Sequence, residues 1–470
     1  MAYSTIMEGG DTSGAQLARW AASRLRAHGA KAYYVGGCVR DLLLGRAPKD
    51  YDVATDAPPD RILGLFPDAR QVGAHFGVML LRRAGAEVEV ATFRSEHSYE
   101  DGRHPGHVQF ETDPRQDALR RDFTMNALLQ DPETGEVLDF VGGRADLEAR
   151  LIRAIGNAES RFGEDHLRML RAVRLAASLG FEIEPGTMHA IRQLAGAIHR
   201  VAAERIGDEL ARILTEGGAR RGLELLDQSG LLLELLPEVW ATKGVEQPRE
   251  FHPEGDVWTH TLMMLDMLDS PSLTLALGAL LHDVGKPPTF RVQDRIRFDG
   301  HAALGATMAV GILNRLRFSS QVTQAVEALV ADHLRFKDVK QMRESTLRRF
   351  LRQPHFEELL ELHRIDCLAS HGWLDNYEFI RSRQQELPPE RLKPERLITG
   401  NDLIRAGYPP GPAFRGALDA VEDAQLEARV HTREDALALV RALLGTPAKP
   451  SDRPVGEDHV EDHDHDRKNG

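Results

Sequence analysis

Two adjacent glycines, Gly36 and Gly37, are followed about a dozen residues later by two aspartates, Asp50 and Asp52. The glycines predict a tight turn that opens a short helix, and the aspartates fall in a run that predicts a strand. Alternate side chains of a strand point to the same face, so the two carboxylates project together and Tyr51 points away. Like charges on one face repel each other unless a cation neutralises them. The segment therefore predicts a cation site.

Magnesium suits this arrangement, because hard oxygen ligands favour Mg²⁺, which completes its shell with water and substrate phosphates. Two such ions can activate an attacking hydroxyl and stabilise a leaving phosphate. The glycine turn lets backbone N–H groups approach an anion, and the start of the following helix adds its dipole. An isolated D-x-D is more often a solvated pair at a strand end, so the interpretation depends on the surrounding residues.

The run from Tyr34 to Thr55 resembles the signature of class II CCA-adding enzymes and bacterial poly(A) polymerases. The elements that carry the resemblance are, in order, Gly36-Gly37, Arg40-Asp41, Leu44-Gly45 and Asp50-x-Asp52-x-Ala54-Thr55. It implies an α+β fold, in which a small N-terminal nucleotidyltransferase sheet domain of the polymerase β type precedes an all-helical neck, an HD body and a tail. It also implies that Gly36, Gly37 and Arg40 cradle a triphosphate, while Asp50 and Asp52 are catalytic and bind Mg²⁺.

The length and composition fit a large soluble enzyme. A chain of 470 residues with 42% hydrophobic residues predicts two to four domains with sizeable cores. It has no apolar run long enough for a membrane span, no signal-like start, and two distant cysteines, so we expect a cytoplasmic protein without a membrane partner. The net charge of −13 argues against a surface covered with nucleic-acid-binding residues, although a local basic groove suffices to bind RNA.

The hydrophobic pattern changes from mixed to helical near residue 145. It predicts a helix at 14–29, strands at 31–36, 50–54, 77–82 and 87–93, a loop at 95–115, helices at 164–180 and 200–215, a junction at 244–256, and further helices over 257–445. With the resemblance, these segments divide into a head (1–145), a neck (146–240), an HD domain (250–380), a helical tail (381–446) and a disordered tail (447–470).

Two further segments of the head contain candidate site residues. Glu89, on the strand Val88–Arg94, is either a third catalytic carboxylate beside the aspartates or an exposed strand glutamate. The run from Arg120 to Ala127 resembles the family motif RRDFT-x-NA, which implies that Arg121, Asp122 and Asn126 contact the sugar and triphosphate. Arginine can fork to phosphate oxygens and aspartate can accept from ribose hydroxyls, although Asp122 also suits a helix cap.

The segment Glu164-Asp-His-Leu-Arg168 resembles the family motif EDxxR. On a helix, Asp165 and Arg168 share a face and offer an acceptor and a donor fork to the edge of a base. Such a pair can select cytosine and adenine without a nucleic-acid template, but an ordinary helix ion pair has the same spacing. The similar run that follows, to Phe181, adds Arg171 and Arg174 to the implied nucleotide-binding residues, whereas the helix at Ala203–Leu214 is interpreted as structural.

The segment Ser95–Gly106 resembles the flexible loop that the family needs for adding AMP. Enzymes of the family that add only CC lack this loop, so its apparent presence argues against CC-only activity. Full CCA addition and A-only addition both remain open. Three C-terminal runs also resemble the family and imply a helical body that grips the tRNA elbow: Ile398–Ile404, Pro410–Phe414 and Thr432–Ala436.

A second candidate centre lies in the C-terminal half. The residues occur in the order typical of HD-type metal-dependent phosphohydrolases: His260, His282-Asp283, His301, His333 and Asp366. The resemblance implies that they bind divalent metal, and imidazole with carboxylate suits Mn, Fe, Ni or Zn better than Mg alone. A bound metal lowers the pKa of water and so generates hydroxide for attack on phosphate. A set of core and surface histidines in a purely structural HD domain is the competing interpretation.

These resemblances imply template-independent transfer of CMP and AMP from CTP and ATP to the 3′ end of tRNA. The HD centre would add phosphatase or 2′,3′-cyclic phosphodiesterase activity. An A-only tRNA-adding enzyme or a poly(A) polymerase is the alternative within the family. The alternative from another class is an HD metallophosphohydrolase whose N-terminal half only binds RNA.

Overall fold

The structure, a computed structural model, describes residues 13–72, 77–99, 105–388 and 392–447, without the side chains of residues 13, 96–99 and 105–107. The described residues up to Leu334 form one compact unit together with Glu357–Trp373, and Arg335–Phe356 form a second unit with the described residues from Leu374 onward. None of the described helices is both long and apolar enough to span a bilayer. The predicted α+β class is confirmed, with a sheet in the head and helices beyond it.

Within the described residues, seven strands form the main sheet in the order β3-β4-β5-β2-β1-β8-β9. Only β2 and β5 pair in parallel, and the other neighbours are antiparallel. The strands are β1 Ala32–Val35, β2 Asp52–Thr55, β3 Arg70–Gln71, β4 Val78–Arg83, β5 Ala86–Thr92, β6 Arg94–Tyr99, β7 Pro105–Phe110, β8 Leu129–Gln130 and β9 Val137–Leu138.

The sheet forms because its strands alternate apolar and polar residues. In β5, Val88 and Val90 are buried while Glu87 and Glu89 are exposed, which is the alternation expected of a strand with one buried face. Phe93 and Leu129 are fully buried in the core on this sheet. The flanking helices are α1 Ser13–Ala27, α2 Gly37–Leu43, α3 Pro59–Leu65, α4 Pro114–Leu119 and α5 Gly143–Glu148.

Two sequence-based expectations for the head are wrong. The predicted loop at 95–115 contains the antiparallel pair β6–β7, separate from the main sheet, and then α4. A hairpin ladder satisfies backbone N–H and C=O groups whatever the polarity of its side chains, so the polar composition of this segment was misleading. Strand β2 begins at Asp52, so Asp50 lies in the bend before it rather than in the strand.

Beyond the head the chain is helical, as predicted, with interruptions. The helix expected at 164–180 begins only at Leu167, because Asp165 and His166 separate it from a preceding helix that ends at Glu164. Short strands β10 Leu151–Ile152 and β11 Glu182–Ile183 pair in parallel where no strand was expected. The helices are α6 Ala158–Glu164, α7 Leu167–Leu179, α8 Pro185–Leu194, α9 Ala203–Thr215, α10 Ala219–Gln228, α11 Leu231–Leu235 and α12 Pro237–Trp240, with 3-10 segments Thr124–Asn126 in the head and Ala195–Arg200.

The segment that carries the HD motif is also helical, apart from the strand pair β12 Arg291–Val292 and β13 Ile296–Arg297. Helix α14 is almost wholly buried, which explains its apolar sequence. The helices are α13 Val257–Asp266, α14 Leu273–Leu281, α15 Lys286–Thr289, α16 His301–Arg315, α17 Ser320–Asp332, α18 Glu344–Leu351 and α19 Phe356–Ala369, with a 3-10 segment at His333–Gln341.

The second unit packs its helices around Leu403, Val421 and Val440. Two of the C-terminal runs noted in the sequence are helix starts, because Thr399 with Asp402 and Thr432 with Asp435 form capping boxes. The remaining helices are α20 Asp375–Glu386, α21 Gly400–Arg405, α22 Ala413–Leu426 and α23 Arg433–Leu444. Of the tail expected to be disordered (447–470), residues 448–470 lie outside the described residues.

Candidate active site and metal centre

The first candidate centre is built on the parallel pair β2–β5. Asp52 and Glu89 are direct partners in the register, so their side chains leave neighbouring strands on the same face. The position of Glu89 favours its interpretation as a third carboxylate of the site. Asp50 is exposed in the bend before β2, yet its charge still contributes to raising the pKa of Asp52. The three predicted carboxylates are therefore gathered at one end of β2.

Electrostatics at this centre favour a cation. Burial, followed by the charge of Glu89 and more weakly that of Asp50, raises the pKa of Asp52 to about 6, against the opposing effect of Arg121. Such a shift means that the ionised carboxylate lacks sufficient positive charge from the protein itself. Oxygen ligands of this kind are those that bind a hard divalent cation, so the residues fit the predicted metal.

Glycine is required at position 36 by both conformation and space. Gly36 has φ +75°, and a Cβ there would lie 3.2 Å from Arg121 Nη1 and 3.9 Å from Asp52 Oδ2. Gly37 follows as the first residue of α2, beside the guanidinium of Arg40. The glycine turn therefore lies beside both the guanidinium of Arg121 and the carboxylate of Asp52.

Arg121 is held in place by a buried acid. Its Nη2 lies 2.9 Å from Asp117 Oδ2, and Asp117 also pairs with Arg120 at 2.7 Å. Although burial favours the neutral acid, the two arginines lower the pKa of Asp117 to about 2. Asp117 is therefore a fixed anion that orients Arg121 toward the glycine turn, a role that the sequence did not reveal.

The other predicted nucleotide-binding residues of the head and neck form a continuous polar network. Arg40 Nη1 donates to Asn126 Oδ1 at 3.0 Å, and Arg171 donates to Asp122 Oδ2 through Nε at 3.0 Å and Nη2 at 2.9 Å. Burial opposes ionisation of Asp122, but Arg171 outweighs it and lowers the pKa of that carboxyl. Arg174 instead pairs with Glu209 and Glu216, away from Asp122.

The predicted base-selecting pair departs from its expected geometry. Asp165 has extended backbone angles between α6 and α7, so the expectation that Asp165 and Arg168 share one helix face is wrong. The helix is interrupted at Asp165 because the side chain of this residue accepts a hydrogen bond from the backbone N–H of Leu167 at 3.0 Å. Arg168 Nη1 contacts Glu164 at 2.5 Å, and Asp165 pairs with Arg205 at 2.8 Å. The two residues are thus close in the chain but paired with other partners.

The raised pKa of Asp52 predicts a pH-dependent stability of the protein without divalent metal. The folded state binds this proton more tightly than the unfolded state, so the stabilisation is complete below about pH 4 and is lost as the pH rises through 6. A shift of about two pKa units corresponds to about 3 kcal/mol at neutral pH. We expect Asp52→Asn in EDTA to gain unfolding free energy over the parent between pH 4 and 8, measured by urea denaturation.

Magnesium supplies the control for that prediction. We expect Mg²⁺ added at pH 7.5 to bind the parent carboxylates and to raise the stability of the parent more than that of Asp52→Asn. A stability difference between variant and parent that is constant from pH 4 to pH 8 would contradict the assigned electrostatics.

The second candidate centre gathers all six residues predicted from the HD pattern within the first unit. His282 Nε2 lies 3.0 Å from Asp283 Oδ2, and His301 Nε2 lies 3.4 Å from both Asp283 Oδ1 and His333 Nε2. His260 Nε2 lies 3.1 Å from Asp366 Oδ1. Two sets of three ligand atoms each lie within 4.8 Å of one another, and Asp283 belongs to both: His260–His282–Asp283 and Asp283–His301–His333.

Each histidine of this centre is oriented by its other ring nitrogen. The Nδ1 atoms of His282, His301 and His333 contact the carbonyl oxygens of Ala279, Phe298 and Val330 at 2.9, 2.8 and 2.7 Å. A carbonyl only accepts, so Nδ1 carries the proton and the Nε2 lone pair faces Asp283. Burial and the neighbouring His282 lower the pKa of His333 to about 4, which keeps that ring neutral for metal binding.

Poorly satisfied buried atoms support the interpretation of this cluster as a cation site. His260 Nε2, His282 Nε2 and both carboxylate oxygens of Asp283 are buried and make ionic contacts, but no hydrogen bond of regular geometry, among the described residues. Such atoms are costly unless something binds them. Lys286 Nζ lies 2.6 Å from Asp283 and donates to Gln247, so it balances part of the carboxylate charge. The donor set fits a divalent cation.

The sequence analysis missed the residues that surround this cluster. Glu254 Oε1 lies 2.8 Å from the Nδ1 atoms of both His252 and His260, and these three residues form a third group with metal-ligating potential. They fall in the Gly/Pro-rich stretch at 244–256, which was interpreted only as a junction. The His-x-Glu spacing there was the one available signal, and it is short and common.

Three family models match this chain. They are described as the poly A polymerase head domain, over residues 32–153, the probable RNA and SrmB-binding site of polymerase A, over residues 180–243, and the HD domain, over residues 256–370. The first covers the carboxylate and glycine elements of the head, and the last covers the whole histidine–aspartate cluster.

Known proteins resemble the chain over most of its length. A CCA-adding enzyme of Geobacillus kaustophilus is 32% identical, with 88% of this chain and 93% of that protein covered, and a CC-adding tRNA nucleotidyltransferase of Thermus thermophilus is 35% identical, with 87% and 93% covered. Matches of 43–44% identity to other Geobacillus CCA-adding enzymes span about half of those proteins.

The crystal structure of the Bacillus stearothermophilus CCA-adding enzyme in complex with CTP superposes with a TM-score of 0.71 at 28% identity, covering 92% of this chain and 98% of that one. The resemblance inferred from the sequence motifs is confirmed: this chain belongs to the family of CCA-adding and CC-adding tRNA nucleotidyltransferases.

Proposed function

We propose that this protein transfers CMP and AMP, from CTP and ATP, to the 3′ end of tRNA without a nucleic-acid template. The observation that carries the proposal is the register of β2 and β5, which sets Asp52 beside Glu89, together with the closeness of the Gly36 turn to Arg121 and Asp52. The site thus presents carboxylates for a divalent cation next to a glycine turn and a basic side chain for phosphates. Membership of the tRNA nucleotidyltransferase family supports the choice of acceptor.

The proposed reaction joins the 3′-oxygen of tRNA to the α-phosphorus, and the bond from that phosphorus to the bridging oxygen of pyrophosphate breaks. Asp50, Asp52 and Glu89 would hold Mg²⁺, which when bound acidifies the attacking hydroxyl and stabilises the leaving oxygen. Arg121 is positioned by Asp117 to contact phosphate oxygens at the turn. The attacking hydroxyl loses its proton to solvent, and pyrophosphate leaves.

The remaining predicted residues have supporting positions in this proposal. Gly37 and Arg40 adjoin the glycine turn, and Asn126 links Arg40 to Asp122. Asp122, held by Arg171, would accept from the sugar. Arg174, paired with two glutamates, would position the neck helices rather than contact the nucleotide. Residues 146–240 and 381–446 would provide the neck and tail that contact tRNA. A cytoplasmic location would agree with this substrate and with the two free, buried cysteines.

We also propose that the HD cluster is a divalent-metal phosphohydrolase centre, with Mn, Ni, Fe or Zn as the metal. The buried ring nitrogens of His260 and His282 and the carboxylate of Asp283 support it, because without a metal they have only ionic contacts that lack regular hydrogen-bond geometry. A phosphomonoester or a 2′,3′-cyclic phosphate at an RNA end is the substrate class that such chemistry serves. The reaction would complement repair of the same tRNA end.

An extension assay on defined tRNA substrates tests the transferase proposal. We expect tRNA lacking CCA to gain two CMP with CTP alone and CCA with CTP plus ATP, whereas tRNA ending in CC gains one AMP with ATP. The products are resolved at single-nucleotide length on denaturing gels.

Each other result of the extension assay would identify a different activity. Extension that stops at CC, as the name of the Thermus thermophilus relative indicates for that enzyme, would identify a CC-adding enzyme. Addition of A only to tRNA ending in CC would identify an A-adding enzyme, and long A tails would identify a poly(A) polymerase. Phosphate release without extension would contradict nucleotide transfer.

A further inference from the structure

The side chain of Asp165 is held by a residue that the sequence motifs had assigned to a structural helix. Arg205 donates to it as a fork, with Nη2 2.8 Å from Oδ2 and Nη1 3.3 Å from Oδ1. The two side chains are largely buried, with 25% of Arg205 and 16% of Asp165 exposed. A two-point contact between a planar guanidinium and a carboxylate defines the orientation of both groups, which a single contact would not.

The location of Arg205 shows that the contact is not a general surface ion pair. Arg205 lies in the first turn of α9, where the helix dipole disfavours a positive charge, and the residue before this helix provides no side-chain cap. The carboxylate of Asp165 compensates for both, because it places a negative charge at that helix start. Helix α9 is itself tied to α7 through Glu209, which pairs with Arg171 and Arg174. The donor fork therefore rests on a rigid element.

The hydrogen bonds to Asp165 leave few acceptor positions on its carboxylate for a ligand. A carboxylate has about four acceptor positions. Leu167 N–H occupies one and the Arg205 fork occupies two, so one position remains among the described contacts. Cytosine and adenine each present an exocyclic amino donor, whereas uracil and guanine present a carbonyl oxygen at the corresponding position. A single fixed acceptor distinguishes these two pairs of bases.

Arg168 complements that acceptor from the next helix. Its Nη1 is occupied by Glu164 Oε2 and by the carbonyl of Arg161, while Nε and Nη2 have no partner among the described residues. Three N–H groups therefore remain available to the acceptor atoms of a base. Two separate anchors, Arg205 for Asp165 and Glu164 for Arg168, fix the two side chains relative to each other.

We propose that Arg205 is a positioning residue that determines base specificity, by fixing the one remaining acceptor of Asp165 toward the amino group of cytosine or adenine. The inference rests on the proposed nucleotide transfer and names a specificity determinant for it. Without the fork, the carboxylate of Asp165 can rotate away from the carbonyl oxygen of uracil or guanine. The repulsion that disfavours UTP and GTP then falls, and discrimination against these nucleotides weakens. The catalytic carboxylates of the head are unchanged.

The test compares kcat/KM for CTP and UTP on tRNA lacking CCA in the intact protein. We expect Arg205→Ala to lower the CTP/UTP ratio about tenfold, the loss of one charge-assisted hydrogen bond, and Arg205→Lys, which keeps the charge without the fork, to lower it by less. Arg212→Ala, an exposed arginine on the same helix, should leave the ratio unchanged. In an Asp165→Asn background, Arg205→Ala should change the ratio no further.

A structural role would give a different result. If Arg205→Ala lowers kcat/KM for CTP and UTP by the same factor, the proposal is wrong. Should Arg205→Ala fail to fold by circular dichroism, Arg205→Lys decides, and an unchanged ratio in that variant overturns the proposal. A parent protein that adds no nucleotide to tRNA contradicts the proposed function instead, which separates the two failures.

Discussion

Asp52→Asn should lower the single-turnover rate of CMP addition to tRNA by roughly three to five orders of magnitude. The substitution preserves the volume of the side chain but removes the charge that binds the cation, and losing several kcal/mol of transition-state stabilisation has an effect of this size. The measurement is extension of labelled tRNA lacking CCA at saturating CTP and Mg²⁺. Affinity for tRNA should change little, because phosphate contacts spread over basic side chains dominate RNA binding.

A matched control separates lost chemistry from lost structure. Asp60→Asn makes the same chemical change at an exposed position in the first turn of α3, close in the chain to Asp52. It should retain the parent rate within about a factor of two. Because the raised pKa of Asp52 destabilises the metal-free folded protein at neutral pH, Asp52→Asn should be inactive yet more stable without metal.

Loss of activity together with a gain of stability is not expected of a substitution that damages the fold. A rate within tenfold of the parent would refute the assignment of Asp52 as a catalytic carboxylate, and with it the role proposed for Glu89. Equal loss in Asp60→Asn would show that the effect is not specific to the β2–β5 pair.

Two kinds of feature could be predicted from the sequence: elements that a local hydrophobic pattern indicates, and sites that a short motif marks. The alternation in β5 identified a half-buried strand, and the His-Asp pair with its flanking histidines identified a cluster that the structure gathers around Asp283. The parallel pairing of Asp52 with Glu89 could not be derived, because pairing between distant strands depends on the whole sheet.

The misses share a physical cause: each depends on particular hydrogen bonds or ion pairs that neither a hydrophobic pattern nor a short motif encodes. Asp165 and Arg168 have helical spacing, but the helix is broken because Asp165 bonds to Leu167 and to Arg205, forty residues away. The pairing of β6 with β7 rests on backbone hydrogen bonds, which a polar sequence does not indicate. Asp117 and Glu254 orient Arg121 and His260 from positions that no short motif marked.

The two candidate centres differ in how the protein balances their charge. In the head, burial of Asp52 and the charges of Glu89 and Asp50 outweigh the charge of Arg121, so the pKa of Asp52 rises. In the HD cluster, Asp283 is surrounded by imidazoles and Lys286, which hold its pKa well below its usual range despite its burial. Hard oxygen ligands in the first and imidazole nitrogens in the second favour different divalent metals, so selective chelation can address each centre separately.

Removal of Asp283 should eliminate metal binding at the HD cluster without affecting nucleotide transfer. Asp283 belongs to both sets of ligand atoms, so Asp283→Asn should reduce tightly bound Mn, Ni, Fe or Zn, measured by elemental analysis after gel filtration, to the background level. Hydrolysis of a 2′,3′-cyclic phosphate by the same protein should fall at least about a hundredfold. CMP addition at the head should stay within about a factor of two of the parent.

Asp283→Asn also leaves the buried ammonium of Lys286 without its carboxylate, and breaking such a pair costs about 3–5 kcal/mol. His333→Gln avoids that problem, because it removes one ligand nitrogen from a ring that is neutral and leaves no charge unpaired. Asp294→Asn, at an exposed position in the bend between β12 and β13, is the matched control and should keep the metal. If both ligand variants retain parental metal content, the cluster is structural and the hydrolase proposal is wrong; if they lose metal and CMP addition together, the two centres are not independent.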